Sequence, residues 1–159
     1  MICYRWRVAI IGAAFLSSCS WITTFAVVNA SRDPIEISYT IDLEASKDPW
    51  CPDGNVLEFP RVVPAKDVRA LAGIRSDGPN AEVTCDEATH TVTLSLAPDH
   101  AASLFRIGGY TGPYADRDYL LAFSQLTIRG ERGELQYAGR QLLRDFEKDS
   151  VGLWFLTYK

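Results

Sequence analysis

Hydrophobic and polar residues alternate along much of this chain with a period of two. The cleanest run sets Ile35, Ile37, Tyr39, Ile41 and Leu43 against Glu36, Ser38, Thr40 and Asp42. Successive strand residues point to opposite faces, so this pattern buries one face and wets the other. Just before it, Phe25, Val27 and Asn29 alternate with Ala26, Val28 and Ala30. Ser31-Arg32-Asp33-Pro34 separates the two runs, and the pattern predicts an antiparallel hairpin. Residues 47–54 read as a loop whose two prolines bracket Trp50 and Cys51, and 56–59 as a short strand ended by Pro60. Residues 82–85 form a short predicted strand. Val92, Leu94 and Leu96 alternate with Thr91, Thr93 and Ser95 in another. Ser124, Leu126 and Ile128 run into Arg129-Gly130-Glu131-Arg132-Gly133, a turn with two glycines, and Leu135 and Tyr137 return. Residues 152–158 are apolar on both faces, which marks a strand covered on both sides.

Two stretches are ambiguous. Pro64, Val68, Leu71 and Gly73 fit a short helix, with Pro at its start and Gly past its end. They also fit a turn followed by a strand. Pro98, Ala102, Phe105 and Gly108 echo that spacing, and both stretches are read as turn-then-strand. Leu142, Leu143 and Phe146 predict a short helix within 140–148. Eight or nine short strands with frequent turns predict an all-β, single-domain antiparallel β-sandwich (Ig-like) with one or two short helices. A small β-barrel is the alternative.

The N-terminus is different in kind. Arg5 and Arg7 precede an uncharged, mostly apolar run over 8–15. This is the layout of an export signal, which is set aside before fold reasoning. Leu16-Ser17-Ser18-Cys19 stands where cleavage is expected and resembles the bacterial lipobox. The resemblance covers only the first 19 residues. It implies that the Cys19 thiol takes a diacylglycerol, that 1–18 are removed, and that the new amine is acylated, with palmitate as the usual chain. Residues 19–159 are then the mature domain. Two or three acyl chains on one cysteine make a lasting anchor, at roughly 0.8 kcal/mol per buried methylene. In that family the residue after the Cys directs sorting, and Ser20 implies the periplasmic face of the outer membrane. Two other readings stand beside it: a single transmembrane span over 8–28, about the 20 residues a bilayer needs, and an ordinary cleaved secretory signal. All three place the domain outside the cytoplasm.

With the leader go Arg5 and Arg7, leaving 14 basic against 20 acidic residues, near −6. No basic cluster remains, which argues against nucleic acid as a partner. Of four cysteines, Cys3 leaves with the leader and Cys19 carries lipid, so Cys51 and Cys85 remain in an oxidising compartment. A Cys51–Cys85 disulfide is predicted. Free thiols and a metal pair are the alternatives, and neither cysteine has a second Cys or a His at zinc-site spacing.

Candidate chemistry is sparse. The sequence holds no Cys-x-x-Cys, His-Glu-x-x-His or Gly-x-Ser-x-Gly, and no phosphate-cradling glycine loop. His90 and His100 are isolated and read as surface residues. Residues 108–119 are the unusual segment: three glycines and a proline with Tyr110, Tyr114, Asp116, Arg117, Asp118 and Tyr119. Aromatic faces beside carboxylates suit a sugar or peptide, and long loops are disproportionately functional. The plain alternative is a connecting loop whose tyrosines lie on the sandwich. Two carboxylates fall well short of a calcium site. Asn29-Ala30-Ser31 matches a glycosylation acceptor at a strand end. No cofactor or metal is implied. The expectation is a lipid-anchored binding or structural module of the envelope, with an envelope protein or glycan as partner. The rival is an envelope hydrolase using Asp116, Asp118 and Tyr114.

Overall fold

The computed structural model describes residues 20–41, 51, 60–72, 78–110, 123–138, 142–149 and 152–159. Ten strands run through them in chain order. They are β1 (Ser20–Asn29), β2 (Ile35–Ile41), β3 (Val62–Pro64), β4 (Val83–Asp86) and β5 (Thr91–Leu96). Then come β6 (His100–Tyr110), β7 (Phe123–Gly130), β8 (Gly133–Ala138), β9 (Glu147–Lys148) and β10 (Leu153–Tyr158). They build two five-stranded sheets, in the orders β3-β6-β1-β10-β9 and β4-β5-β2-β7-β8. Every neighbouring pair is antiparallel except β1 with β10, which run parallel from Thr24 opposite Leu153 to Asn29 opposite Tyr158. The result is the predicted sandwich. The barrel alternative fails, because the strands divide into two separate sheets rather than closing into one.

The period-2 pattern explains the central core. Ile35, Ile37 and Tyr39 of β2 are buried, as are Val92, Leu94 and Leu96 of β5. They meet Phe25 and Val27 of β1 and Leu156 and Tyr158 of β10 across the sandwich. Phe25 stacks on Trp154 with centroids 6.3 Å apart and takes the edge of Phe146 at 5.9 Å. A second cluster lies on the other face of the first sheet. There Ala26, Val28, Ala101 and Leu153 are roofed by Val63 and Leu71. Leu71 comes from a 3-10 helix over Ala65–Ala72 that leaves helical geometry at Asp67. β1 and β10 are therefore covered on both faces, which is why both read as apolar on both phases of the alternation.

Three sequence expectations need correction. The first concerns β1 and β2, which do not form a hairpin and lie in opposite sheets. Asn29 redirects the chain. Its side chain is fully buried, and its Nδ2 donates to the Asp33 carbonyl (2.9 Å) and the Leu96 carbonyl (3.1 Å). Its Oδ1 accepts from the Ser31 amide (3.0 Å) and the Ser31 hydroxyl (2.6 Å). All four bonding positions of the amide are filled. The connection is thus stapled to β5 of the other sheet instead of folding β2 back beside β1. The second concerns residues 65–72, which are helical and not turn-then-strand. Only the later stretch behaves as read: Pro98 and Asp99 form the turn before β6, with Asp99 at φ 55°. The two stretches do not share a structure. The third concerns only the bounds of the short helix predicted across 140–148. It is one turn, α1 (Leu142–Asp145), followed by the two residues of β9.

The strand predicted over 56–59 lies outside the described residues. From Ser20 onward the chain is strand, so a helix through Val28 is not what these residues form. Among the described residues no helix is long and apolar enough to cross a membrane.

Candidate functional site

Cys51 and Cys85 are bonded, with 6.0 Å between their Cα atoms. Cys85 sits on β4, an edge strand, and its half-buried side chain packs against the central core. A separation of 34 residues makes the closed loop worth roughly 4 kcal/mol on the chain-entropy model. The bond ties Cys51 to the β4 margin of the second sheet.

The outer face of the second sheet is polar, half-buried at Ser38, Thr40, Thr91 and Thr93 and buried at Thr127, and the sequence reading did not single this face out. The pairing lines up rows of side chains across five strands. One row runs Asp86, Thr91, Thr40, Gln125, Ala138, and the next runs Thr84, Thr93, Ser38, Thr127, Gln136. Hydroxyls pair across strands at 3.1 Å (Ser38 with Thr93) and 3.2 Å (Thr40 with Thr91). A third row carries charge. There the Arg129 guanidinium donates to Glu134 at 2.5 Å and to Glu36 at 3.3 Å, and Gln136 donates to Glu134. The Arg129 hydrogen bond holds the Glu134 carboxyl below its ordinary range, and Glu134 in turn raises Arg129. These groups are exposed, so the pairs add little stability. Arg129 pairs with both Glu36 and Glu134, and the face is polar and suited to hydrogen bonding. The signal was present in the polar phase of the alternation, at 36, 38 and 40 and at 91, 93 and 95.

The edges differ. β3, β4 and β9 are two to four residues long, whereas β8 has six. Leu135 on β8 is the exposed large apolar residue among the described ones, at 40 %. Short edges protect a sheet from strand addition, so β8 is the most open margin.

The histidines do not converge on one another. His90 closes the Glu87–His90 turn between β4 and β5, at φ 52°, and is half-buried. His100 opens β6 opposite Asn29 and Pro64, at the other end of the sandwich, and its Nδ1 lies 2.7 Å from the Pro98 carbonyl. In the turn beside His90, the Asp86 carboxylate accepts from the Ala88 amide at 2.9 Å. That bond is the largest of the effects holding its carboxyl below the ordinary range. Burial pushes the Tyr39 phenol above its ordinary range. Among the described residues the buried Thr24 hydroxyl has no hydrogen-bond partner. Among the described residues no three His, Cys, Asp or Glu side chains are grouped to hold a metal ion.

Of the predicted loop, the backbone of Tyr110 is placed at the end of β6, opposite Ser20. Tyr114, Asp116, Arg117, Asp118 and Tyr119 lie outside the described residues, as do Trp50 and Cys19. The glycosylation pattern at Asn29 falls on an amide whose every bond is used inside the fold. The chain matches no protein-family model, no curated protein and no solved structure, so its site is read from its own residues alone.

Proposed function

We propose that this protein is a lipid-anchored lipoprotein of a bacterial envelope, acting as a non-enzymatic binding or structural module. The observation that carries the reading is a junction. It is where the basic and apolar leader meets Leu16-Ser17-Ser18-Cys19. A lipobox predicts cleavage before Cys19, which keeps β1 (Ser20–Asn29) in the mature chain. The Cys51–Cys85 bond supports the same address, since such bonds persist in oxidising compartments. The partner-facing surface is the hydroxyl-rich outer face of the second sheet together with the β8 edge. An envelope protein or a glycan, both rich in hydrogen-bonding groups, is the class of partner that fits.

Replacing Cys19 with Ala and following radiolabelled palmitate in the producing cell tests the reading. Loss of label together with release from the membrane fraction is expected. Label and membrane retention that persist in Cys19→Ala overturn it.

A further inference from the structure

The strand directions decide which end of the sandwich an anchor at Cys19 holds. Ser20 stands opposite Tyr110, Trp21 opposite Gly109, Ile22 opposite Gly108 and Thr23 opposite Ile107. β10 joins β1 only from Thr24. Among the described residues, the first four of β1 thus pair with β6 alone, as a ribbon. One residue spans at most about 3.5 Å, so Ser20 stays within that distance of an acylated Cys19. From there β1 climbs about 30 Å to Asn29, at about 3.3 Å per residue. β2 returns from the Asn29 end, pinned there through Leu96. It descends about 20 Å to Ile41 on the same rise, which leaves the last described pair of the second sheet, Ile41 with Phe123, on the order of 10 Å above Ser20. The Glu131–Arg132 turn, Pro98–Asp99 and Ser31–Pro34 all lie at the far end.

A domain tethered this closely either stands upright or lies on one side. Lying down needs an apolar face to insert. The outer face of the second sheet offers Thr, Ser, Gln and the Arg129 ion pairs. The roof of the first sheet exposes Lys66, Asp67 and Arg69 on the 3-10 helix. Among the described residues neither side offers an apolar face to insert.

We infer that the molecule stands with its strands along the membrane normal, the Ser20–Tyr110 end of the β1–β6 ribbon meeting the lipid headgroups. This rests on the acylation of Cys19 proposed above. Tyr110 is placed at the membrane end, while the Glu131–Arg132 turn stands about 30 Å out, on the same rise per residue.

The test uses the full acylated chain, purified from membranes into vesicles of phosphatidylethanolamine and phosphatidylglycerol. Single nitroxides are placed through Tyr110→Cys, Ala88→Cys and Arg132→Cys, with Cys51–Cys85 kept oxidised. Collisions with dissolved oxygen, which concentrates in lipid, are compared with collisions with a water-soluble nickel chelate. The oxygen-to-nickel ratio is expected to fall from 110 through 88 to 132, severalfold overall, with 132 unchanged by vesicles. Ala88 and Arg132 are exposed turn residues whose replacement leaves the core intact, so that pair reports even if the Tyr110 variant folds poorly. Equal ratios at 88, 110 and 132, or a reversed order, on chains whose mass shows acylated Cys19, overturn the upright placement alone. A mass showing unmodified Cys19 overturns the anchor and the placement together.

Discussion

Asn29→Ala tests whether one amide holds the crossing between the two sheets. The side chain makes four hydrogen bonds, and the bond to the Leu96 carbonyl is wholly buried. Alanine leaves the Leu96 and Asp33 carbonyls and the Ser31 amide without this partner. A typical bond contributes about 1 kcal/mol net, and a stranded buried group costs about 1–3 kcal/mol. The sum is about 3–4 kcal/mol, because part of the network is close enough to solvent for water to replace the amide. The assay is urea unfolding of the oxidised chain from Ser20 onward. For a domain of this size the loss corresponds to a fall in Tm on the order of 10 °C. Asn29→Asp sharpens the test. It keeps the two bonds accepted from Ser31 but turns a carboxylate oxygen toward two carbonyls. Burial and those carbonyls raise the folded pKa above the unfolded value of about 3.9. The variant is therefore most stable below about pH 4 and weakens as pH rises toward its raised folded pKa. A loss under about 1 kcal/mol for Asn29→Ala, or no pH dependence beyond wild type in Asn29→Asp, would refute the argument. The crossing would then be held by packing of the strands it joins.

Other outcomes follow from the same structure. Ile37→Ala, at a fully buried position in the central core, is expected to cost about 2–5 kcal/mol in urea unfolding. Cys85→Ser should lose roughly 4 kcal/mol, and Cys51→Ser the same; reducing agent should bring wild type down to both, and unequal losses would point to strain or packing at one site. Gly130→Ala places a Cβ 2.6 Å from the Tyr158 hydroxyl and 2.9 Å from its ring. A cost of about 1–3 kcal/mol is expected, measured by thermal unfolding. Asp86 and Glu134 have depressed folded pKa values, so their contributions are present at neutral pH and lost as pH falls through the carboxylate range. Both carboxyls are exposed, so acid titration should show a shallow decline that Glu134→Gln makes shallower still.

The local part of this architecture was legible in the chain. Alternation at 35–41, 91–96 and 124–137 marks β2, β5 and the β7–β8 hairpin, because a half-buried strand writes its two faces into successive residues. The two-sided apolar pattern at 152–158 marks β10 as covered on both faces. Cysteine count and the expectation of an export leader were enough to pair Cys51 with Cys85. Partnership between strands was not legible, because alternation names the face that is buried and says nothing about which strand covers it. Five residues separate β1 from β2, yet Asn29 sends them to opposite sheets, while β1 finds its parallel neighbour at the far end of the chain. Residues 65–72 became helix because Leu71 is needed as a lid over Ala26, Val28 and Leu153, a demand set by distant strands. The candidate surface divides in the same way. The hydroxyls of β2 and β5 are visible singly in the sequence. Only the registers of five strands bring Thr84, Thr93, Ser38, Thr127 and Gln136 into one row. Periodicity is a property of neighbours along the backbone, and a surface is a property of neighbours across it.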